Sequence, residues 1–364
     1  MKILYDYQIF SWQKYGGISR YFFELIKHLP DEISFKLPIL LSTNHYIANK
    51  EISRQILISK NYHFPEQDKI LKIINKLYSI QFLKFSKYDI FHPTYYSTYF
   101  LRHIGNKPFV ITCYDLIQEK FSKKYPELDD NGKTILTRGI LFKKASKIIA
   151  ISESTKRDMV EIYKIPEQKI EVIYLASSMS HQKRERLINE NYLLFVGSRN
   201  LYKNFTLFLE SIADLLLENP GLLLICAGGG GFNIEETAMI DRRKLTNQVR
   251  QIAVHDEDIE NLYTHAMMFI FPSLYEGFGI PVLESFSCGC PVLLSNTSSL
   301  PEVGGDAALY FDPTNKDSIK ETVSKALGSQ ELRSQMREKG YQQLTRFSWE
   351  KTAAQTVRIY KSVG

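Results

Sequence analysis

Pro272-Ser273-Leu274-Tyr275-Glu276-Gly277-Phe278-Gly279-Ile280-Pro281-Val282-Leu283-Glu284 follows the apolar run Met267–Phe271 and opens a helix-length segment. The run reads as a buried strand, and Pro281 fits the first turn of a helix, where its missing N–H is no loss. Gly277 and Gly279 make the connection a flexible loop. In open parallel sheets, ligands sit where such loops leave the carboxyl ends of strands. Glu276 falls in the loop and Glu284 in the opening turns of the helix. Both carboxylates can point into one cleft, on either side of exposed backbone amides. Amides and a helix N-terminus suit a phosphate, while carboxylates accept hydrogen bonds from hydroxyls. A ligand with phosphates and vicinal hydroxyls is a sugar nucleotide. Either glutamate alone would pass for a residue complementing the helix dipole; the glycine-framed pair points to function.

The same alternation extends both ways along the chain. In the first half the expected strands are Ile3–Tyr5, Phe35–Leu41, Asp89–His92, Phe109–Thr112, Lys147–Ile151 and Lys169–Tyr174. Helix-length segments Ile18–Leu29, Ile70–Phe85, Thr134–Ala145 and Ser154–Tyr163 lie between them. The second half repeats the pattern with strands Tyr192–Val196, Leu222–Ala227, Gln248–Val254, Met267–Phe271, Pro291–Leu294 and Ala308–Phe311. Its expected helices are Phe205–Glu218, Asp256–Ala266, Pro281–Ser287, Lys316–Ala326 and Glu331–Arg346. Strands alternating with helices predict parallel sheets with right-handed crossovers. The fold class is therefore α/β, with two doubly wound domains at 1–178 and 190–346. The polar stretch Ala176–Asn191 reads as the linker. A last capped helix, Ser348–Ser362 within 347–364, is left over after the second series is complete.

A chain of 364 residues, 44% apolar and 24% charged, is long enough for two well-buried cores and has a globular composition. The four cysteines do not form a disulfide framework, and Cys288-x-Cys290 lacks the partners of a zinc site. They read as small buried hydrophobes in a reducing cytoplasm. Met1–Asp6 turns polar too soon for a signal peptide, and no run reaches the length of a membrane span.

Charge is unevenly shared. Residues 1–182 carry 27 Lys and Arg against 18 Asp and Glu, net +9; residues 183–364 carry 19 against 22, net −3. The first half is expected to meet something anionic. Its basic residues concentrate in Lys69–Lys87 and Lys120–Lys147, mixed with aromatics. Residues 70–85 can place Ile70, Ile73, Ile74, Leu77 and Phe85 on one side of a helix. That stripe suits a lipid headgroup layer, or equally the helix's own sheet. The scattered lysines and the lack of a recognition module speak against nucleic acid.

Other strand-to-helix junctions offer further candidates. Gly16-Gly17 opens a helix after the first strand and suits an anion, or is a tight turn. Arg199 and Lys203 lie between a strand end and a helix start, where two cations can converge on one diphosphate. Asp256-Glu257-Asp258 has a metal-binding form, but it opens a helix, and capping explains it; no metal is expected. Gly228–Gly231 could also suggest nucleotide binding, and reads as a floppy loop after a strand at the cleft edge. His92 is a weak candidate for contact with an acceptor, a structural role being as good a reading.

These segments together resemble family 4 of the glycosyltransferases. The matching stretches are Tyr15–Tyr21, Thr112–Leu116, Ile151–Asp158, Val196–Asn204, the Glu276/Glu284 pair, Cys288–Pro291 and Leu300–Leu309. They run in family order over nearly the whole chain, although residues 40–88 match nothing. The resemblance implies retaining enzymes with two facing Rossmann-like domains, the GT-B fold, and a final helix crossing back to the first domain. It implies that Arg199 and Lys203 hold the donor diphosphate and stabilise the leaving group. The amides of Gly277, Phe278 and Gly279 would bind phosphate or sugar hydroxyls. Glu276 would contact the transferred sugar, Glu284 the ribose, and Gly17 the donor from the other domain.

The family often has His-Asp where this chain has Tyr114-Asp115; Asp115 carries over, and Tyr114 is placed beside the donor. No cofactor is implied beyond the nucleotide-diphosphate sugar itself. The Tyr114-Asp115 variant and Tyr202–Phe205 resemble mannosyltransferases of bacterial surface polysaccharides, which implies GDP-mannose, with UDP-hexoses open. A glycan or lipid-linked glycan would be the acceptor. The expected location is cytoplasmic, with peripheral contact to an anionic membrane. The competing readings are a sugar-nucleotide epimerase of the same architecture and a non-catalytic sugar-nucleotide or glycan binder.

Overall fold

The computed structural model describes residues 1–48, 67–179, 185–199, 201–254 and 256–364, without the side chains of Ala48, Gln67, Asp68, Asp256 and Glu257. Parts of the unmatched stretch 40–88 and of the expected linker thus lie outside the described residues, as do Asn200 and the side chains of Asp256 and Glu257. The chain divides into two compact units. Unit 1 comprises Met1–Leu175 with Ser348–Gly364, and unit 2 comprises Ala176–Phe347.

Unit 1 is built on β1 (Lys2–Tyr5), β2 (Ser34–Lys36), β3 (Ile90–His92), β4 (Val110–Cys113), β5 (Lys147–Ala150) and β6 (Ile170–Val172). The strands pair in parallel as β2-β1-β3 and β4-β5-β6, and a bridge between Phe91 and Phe109 joins the two runs. The final helix, Trp349–Val363, is capped by the Ser348 side chain on the Lys351 amide. It packs on the helix Gly17–Lys27, and Tyr360 reaches the hydroxyl of Tyr5 at 3.0 Å.

Unit 2 contains β7 (Asn191–Val196), β8 (Leu222–Ala227), β9 (Val249–Ile252), β10 (Met268–Phe271), β11 (Val292–Ser295) and β12 (Ala308–Phe311). Their order is β12-β11-β10-β7-β8-β9, all parallel. This is the doubly wound arrangement, with its reversal of strand order between β7 and β10. Helices cover both faces, so central strands are apolar throughout: all six residues of Leu222–Ala227 are buried. The helix Phe205–Glu218 puts Phe205, Phe208, Leu209 and Ile212 into that core.

Three expectations need correction here. The strand expected over Phe35–Leu41 stops at Lys36. Pro38 offers no ladder donor, and the amides of Leu40 and Leu41 turn instead to Asn75 Oδ1 at 2.9 and 3.2 Å. The helix Gln67–Phe85 buries Leu71, Asn75, Ser79 and Leu83. Its isoleucine stripe does not pack on the sheet: Ile70, Ile73, Leu77 and Phe85 are 43, 59, 63 and 80% exposed. Asn75 and Ser79 are drawn inward because Asn75 also donates to Leu41 O at 2.6 Å and Ser79 meets Tyr99 Oη at 2.8 Å.

The third correction is His92, which does not face an acceptor. It is fully buried, with Nδ1 2.6 Å from Tyr360 Oη and Nε2 3.0 Å from Thr112 Oγ1. Burial lowers its pKa to about 3, so the folded chain refuses a proton that the unfolded chain accepts near pH 6.5. The His92 contribution is therefore intact above pH 6.5 and is lost as pH falls toward 3, by up to about 1.4 kcal/mol per pH unit. Asp6 works in the opposite sense, because burial raises its carboxyl and its contribution is lost as pH rises. Urea midpoints between pH 4 and 7 are expected to fall more steeply with acid for wild type than for His92→Gln. Equal slopes would remove His92 from the acid response.

Candidate active site

The reversal between β7 and β10 places two loops side by side. The first runs Gly197–Asn204 into the helix Phe205–Glu218, and the second runs Pro272–Gly279 into the helix Ile280–Ser287. They are laced together. Leu274 donates its amide to Tyr202 O at 2.7 Å, and Asn204 Nδ2 donates to Pro272 O at 3.1 Å. Asn204 caps its helix with φ 61°, a left-handed value that asparagine tolerates.

The loop after β10 is buried rather than exposed and flexible. Ser299 Oγ donates to the carbonyls of Glu276 and Phe278 at 2.9 and 2.8 Å, and the Glu276 amide donates to Ser298 Oγ at 2.9 Å. A trans peptide points its C=O and the next N–H in opposite directions, so the amides of Gly277 and Gly279 turn away from Ser299. Gly279 caps the helix at φ 105°, where a Cβ would also come within 3.0 Å of Leu300. Only glycine fits there. Pro281 lies in the first turn as expected. Phe278 is core, packed edge-on to Phe347.

Lys203 Nζ donates to Glu276 Oε1 at 2.6 Å, and the two side chains are 17% and 11% exposed. The ammonium also lies 5.3 Å from the Phe271 ring centroid, a cation–π contact. Glu284 lies one turn deeper in the helix, buried, with Oε2 3.5 Å from Tyr263 Oη. Burial first, and the Glu284 carboxylate second, push that phenol well above its usual pKa. Tyr263 therefore stays a neutral donor to Glu284.

Arg199 does not converge with Lys203 on one point. Its Nε donates to Glu236 Oε1 at 3.1 Å, its Nη1 to Gly228 O at 3.1 Å, and its Nη2 to Gly230 O and Gly231 O at 2.8 and 2.7 Å. The side chain is 3% exposed and lies 4.8 Å from the Phe232 ring centroid. The glycine loop expected to be floppy is pinned by this guanidinium.

The candidates in unit 1 are also redistributed. Asp115 remains partly exposed at 25%, bonded to the Ile117 amide at 3.2 Å and facing Arg138 Nη2 at 3.5 Å. Arg138 is held in turn by Glu119 at 2.9 Å. Tyr114 is 5% exposed and donates to Thr94 O at 3.3 Å. Gly17 is the exposed first residue of its helix. Gly16 before it leaves room for Gln13, whose Oε1 takes the Ser19 amide at 3.2 Å; a Cβ on Gly16 would lie 2.4 Å from that oxygen. Among the described residues no group of three or more His, Cys, Asp or Glu is placed to hold a metal ion.

Residues 178–343 match the family model described as glycosyl transferases group 1, and residues 15–176 match glycosyltransferase family 4. The chain belongs to the family 4 glycosyltransferases. Curated relatives of this family 4 chain include O-antigen chain mannosyltransferase B of Escherichia coli, 32% identical, with 60% of this chain and 61% of the relative aligned. The serotype-specific mannosyltransferase WbdA of Escherichia coli is 26% identical over 67% of this chain and 32% of its own length. O-antigen chain mannosyltransferase RfbU of Salmonella typhimurium is 28% identical over 50% and 51%. The chain thus spans between about a third and three fifths of these relatives' lengths.

Solved structures with the same fold include Anabaena HepE in complex with UDP and glucose, with TM-score 0.75, 15% identity and full coverage of both chains. WaaG, a glycosyltransferase involved in lipopolysaccharide biosynthesis, has TM-score 0.68 and 14% identity over 99% of both chains. The family 4 chain has the two-domain GT-B architecture. Sequence reasoning missed Glu236, Ser298, Ser299 and Tyr263, which hold the candidate groups. The only signal for any of them was the Asn233-x-x-Glu236 capping spacing, present as a capping box.

Proposed function

We propose that this chain is a retaining, metal-independent hexosyltransferase that moves mannose from GDP-mannose to a glycan or lipid-linked glycan acceptor in bacterial surface-polysaccharide synthesis. The observation that carries the reading is the Lys203–Glu276 pair beside Gly277–Gly279, with Glu284 on the helix that this loop opens. The names of the curated relatives support mannose and O-antigen. In this account a donor diphosphate competes with Glu276 for the Lys203 ammonium. Once Lys203 moves to phosphate, Glu276 is left to accept from a hydroxyl of the transferred sugar. Glu284 takes the ribose hydroxyls, and the Gly277 and Gly279 amides with the helix N-terminus face the charge that builds on the leaving phosphate. That phosphate accepts the acceptor's proton on the face from which it departs, so configuration is kept without a covalent intermediate.

A thermal-shift panel of GDP-, UDP- and ADP-sugars tests the donor. A ligand at a hundred times its dissociation constant adds about 2.7 kcal/mol of stability. GDP-mannose is expected to give the largest shift, and transfer is expected to survive EDTA. A larger shift with a UDP-hexose would reassign the donor, and no shift with any member would overturn the reading.

The acceptor is met at an anionic membrane surface on the cytoplasmic side. No helix among the described residues is long and apolar enough to cross a bilayer. Support comes from the helix Gln67–Phe85, whose outward Ile70, Ile73 and Leu77 stand among Lys72, Lys76 and Lys84. Apolar groups for the acyl boundary and lysines for anionic headgroups make an interfacial helix. Each lysine near such a surface contributes about 1 kcal/mol, and salt screens it. Co-sedimentation with anionic liposomes is expected at low salt, weakened by high salt and by changing Lys72, Lys76 and Lys84 to Glu. Equal binding to neutral liposomes, or none, would leave a soluble acceptor.

A further inference from the structure

Trp12, Tyr15, His45 and Tyr95 stand at the carboxyl edge of β2-β1-β3 in unit 1. Trp12 ends the helix Gln8–Trp12 that follows β1 and is 46% exposed. Tyr95 follows β3, with its ring 4.7 Å from that of Trp12 at an interplanar angle of 69°. Tyr15 is 61% exposed and stacked at 5.0 Å on His45, which lies on the connection leaving β2. Apolar side chains scattered singly over a surface are ordinary. Rings gathered at the carboxyl ends of adjacent parallel strands are different, because ligands of such sheets bind there.

Buried polar bonds hold the rings in place. Asp6 Oδ1 takes the Thr94 amide and hydroxyl at 2.9 and 2.7 Å, and Thr94 Oγ1 takes the Ile9 amide at 3.1 Å. Gln8 Nε2 donates to Asp6 Oδ2 at 2.7 Å and to Tyr95 O at 3.1 Å. On the other side, Asn44 Nδ2 donates to Gln13 O at 2.7 Å and the His45 amide to Lys14 O at 3.0 Å. The loops after the three strands are thus tied together, and little ordering is left for a ligand to impose.

Polar groups with unused capacity border the rings. Gln8 is 1% exposed, and its Oε1 has no hydrogen-bond partner among the described residues. It lies one turn before Trp12 on the same helix face and is tied to the Tyr95 carbonyl. Tyr95 Oη has no hydrogen-bond partner among the described residues either. Burial raises that phenol's pKa, Arg138 opposes the rise, and Asp115 and Asp130 add to it, so the hydroxyl shares its surroundings with Asp115. Lys72 Nζ lies 5.8 Å from the Trp12 ring centroid, at the end of a flexible stem. Apolar ring faces bordered by an amide oxygen, a phenol and an ammonium match a pyranose, which carries C–H groups on its face and hydroxyls around its rim. An acyl chain would leave those polar groups unpaired.

We infer that Trp12 and Tyr95 form a carbohydrate platform, on which a pyranose ring of the acceptor glycan stacks with its hydroxyls toward Tyr95 Oη, Gln8 Oε1 and Lys72. This rests on the proposed glycosyl transfer and narrows its acceptor: a sugar ring is what unit 1 recognises, whether or not a lipid follows it. Stacking reads the apolar face of the ring and acts on acceptor binding, so it leaves nucleotide binding alone.

The full chain has two tryptophans, and Trp349 is buried, so acrylamide quenching of tryptophan fluorescence reports on Trp12. Mannotriose or chitotriose is expected to shield Trp12 from acrylamide in the wild-type chain. In transfer assays with GDP-mannose and the sugar that shields, Trp12→Ala and Tyr95→Ala are each expected to raise acceptor KM by about ten-fold, or about 1.4 kcal/mol, with GDP affinity within about two-fold. Trp12→Tyr keeps a ring and is expected to recover most of the loss. No shielding by either oligosaccharide would overturn the inference, and this wild-type measurement decides the matter if the variants do not fold. Shielding by phosphatidylglycerol vesicles alone would also overturn it and assign Trp12 to the membrane surface. So would an unchanged acceptor KM in both folded alanine variants, or an equal loss of GDP affinity, which marks a structural role. Shielding by an oligosaccharide in a chain that neither binds GDP nor cleaves GDP-mannose would uphold the platform and overturn the proposed function instead.

Discussion

Replacing Lys203 by alanine is expected to lower turnover by roughly a hundred- to a thousand-fold, the loss typical of one preorganised donor to a developing anion. The Lys203 side chain is 17% exposed and held by a single carboxylate oxygen at 2.6 Å, which a donor phosphate would displace. Alanine also strands the Glu276 carboxylate in a mostly buried place, which costs stability of its own. Lys203→Gln separates the two effects: its amide can still donate to Glu276, but it carries no charge to the diphosphate. Both variants are expected to lose turnover, with Lys203→Gln closer to wild type in thermal stability. Near wild-type kcat in either variant would remove Lys203 from the reaction.

The two glutamates are expected to fail in different ways. Glu276→Gln keeps an oxygen for Lys203 but weakens acceptance from a sugar hydroxyl as charge develops, so kcat falls by roughly a hundred-fold with little change in nucleotide affinity. Glu284 would hold the unreacting ribose. Its replacement by Gln loses a charge-assisted bond worth about 1.5–3 kcal/mol, or roughly ten- to a hundred-fold in nucleotide affinity, with kcat at saturation less affected. Calorimetric nucleotide titrations beside steady-state kinetics distinguish the pair. Matching profiles for the two variants would mean that they share one role and that the assignment of sugar to one and ribose to the other is wrong.

Local pattern made much of the architecture legible. The helix Phe205–Glu218 runs between the residues that its apolar spacing indicates, and all six strands of unit 2 fall on their apolar runs. Short helices escaped, such as Gln8–Trp12 and Leu300–Gly304, because five residues do not complete two turns of a pattern. What could not be read was which of two plausible faces is buried. The helix Gln67–Phe85 has an evident isoleucine stripe, yet the backbone of Leu40 and Leu41 recruits Asn75 and turns that stripe outward.

The site divides the same way. Glu276, Glu284 and Lys203 were marked by spacing within single segments. The partners that hold Arg199 lie about thirty or more positions away, in a glycine loop and the helix after it, whose arrangement only the fold discloses. His92 and Tyr114 stand at the carboxyl ends of strands, where a ligand contact and a core contact leave the same trace in sequence. For His92, full burial with both ring nitrogens bonded decides for the core.

The central claim is retaining cleavage of a nucleotide sugar at the Lys203–Glu276 site. Proton NMR of the full chain incubated with GDP-mannose and water as acceptor tests it without knowledge of the natural acceptor. Slow release of mannose whose first-formed anomer matches the donor is expected, lost in Lys203→Gln and Glu276→Gln. Release of the inverted anomer, or cleavage undiminished in both variants, would contradict it.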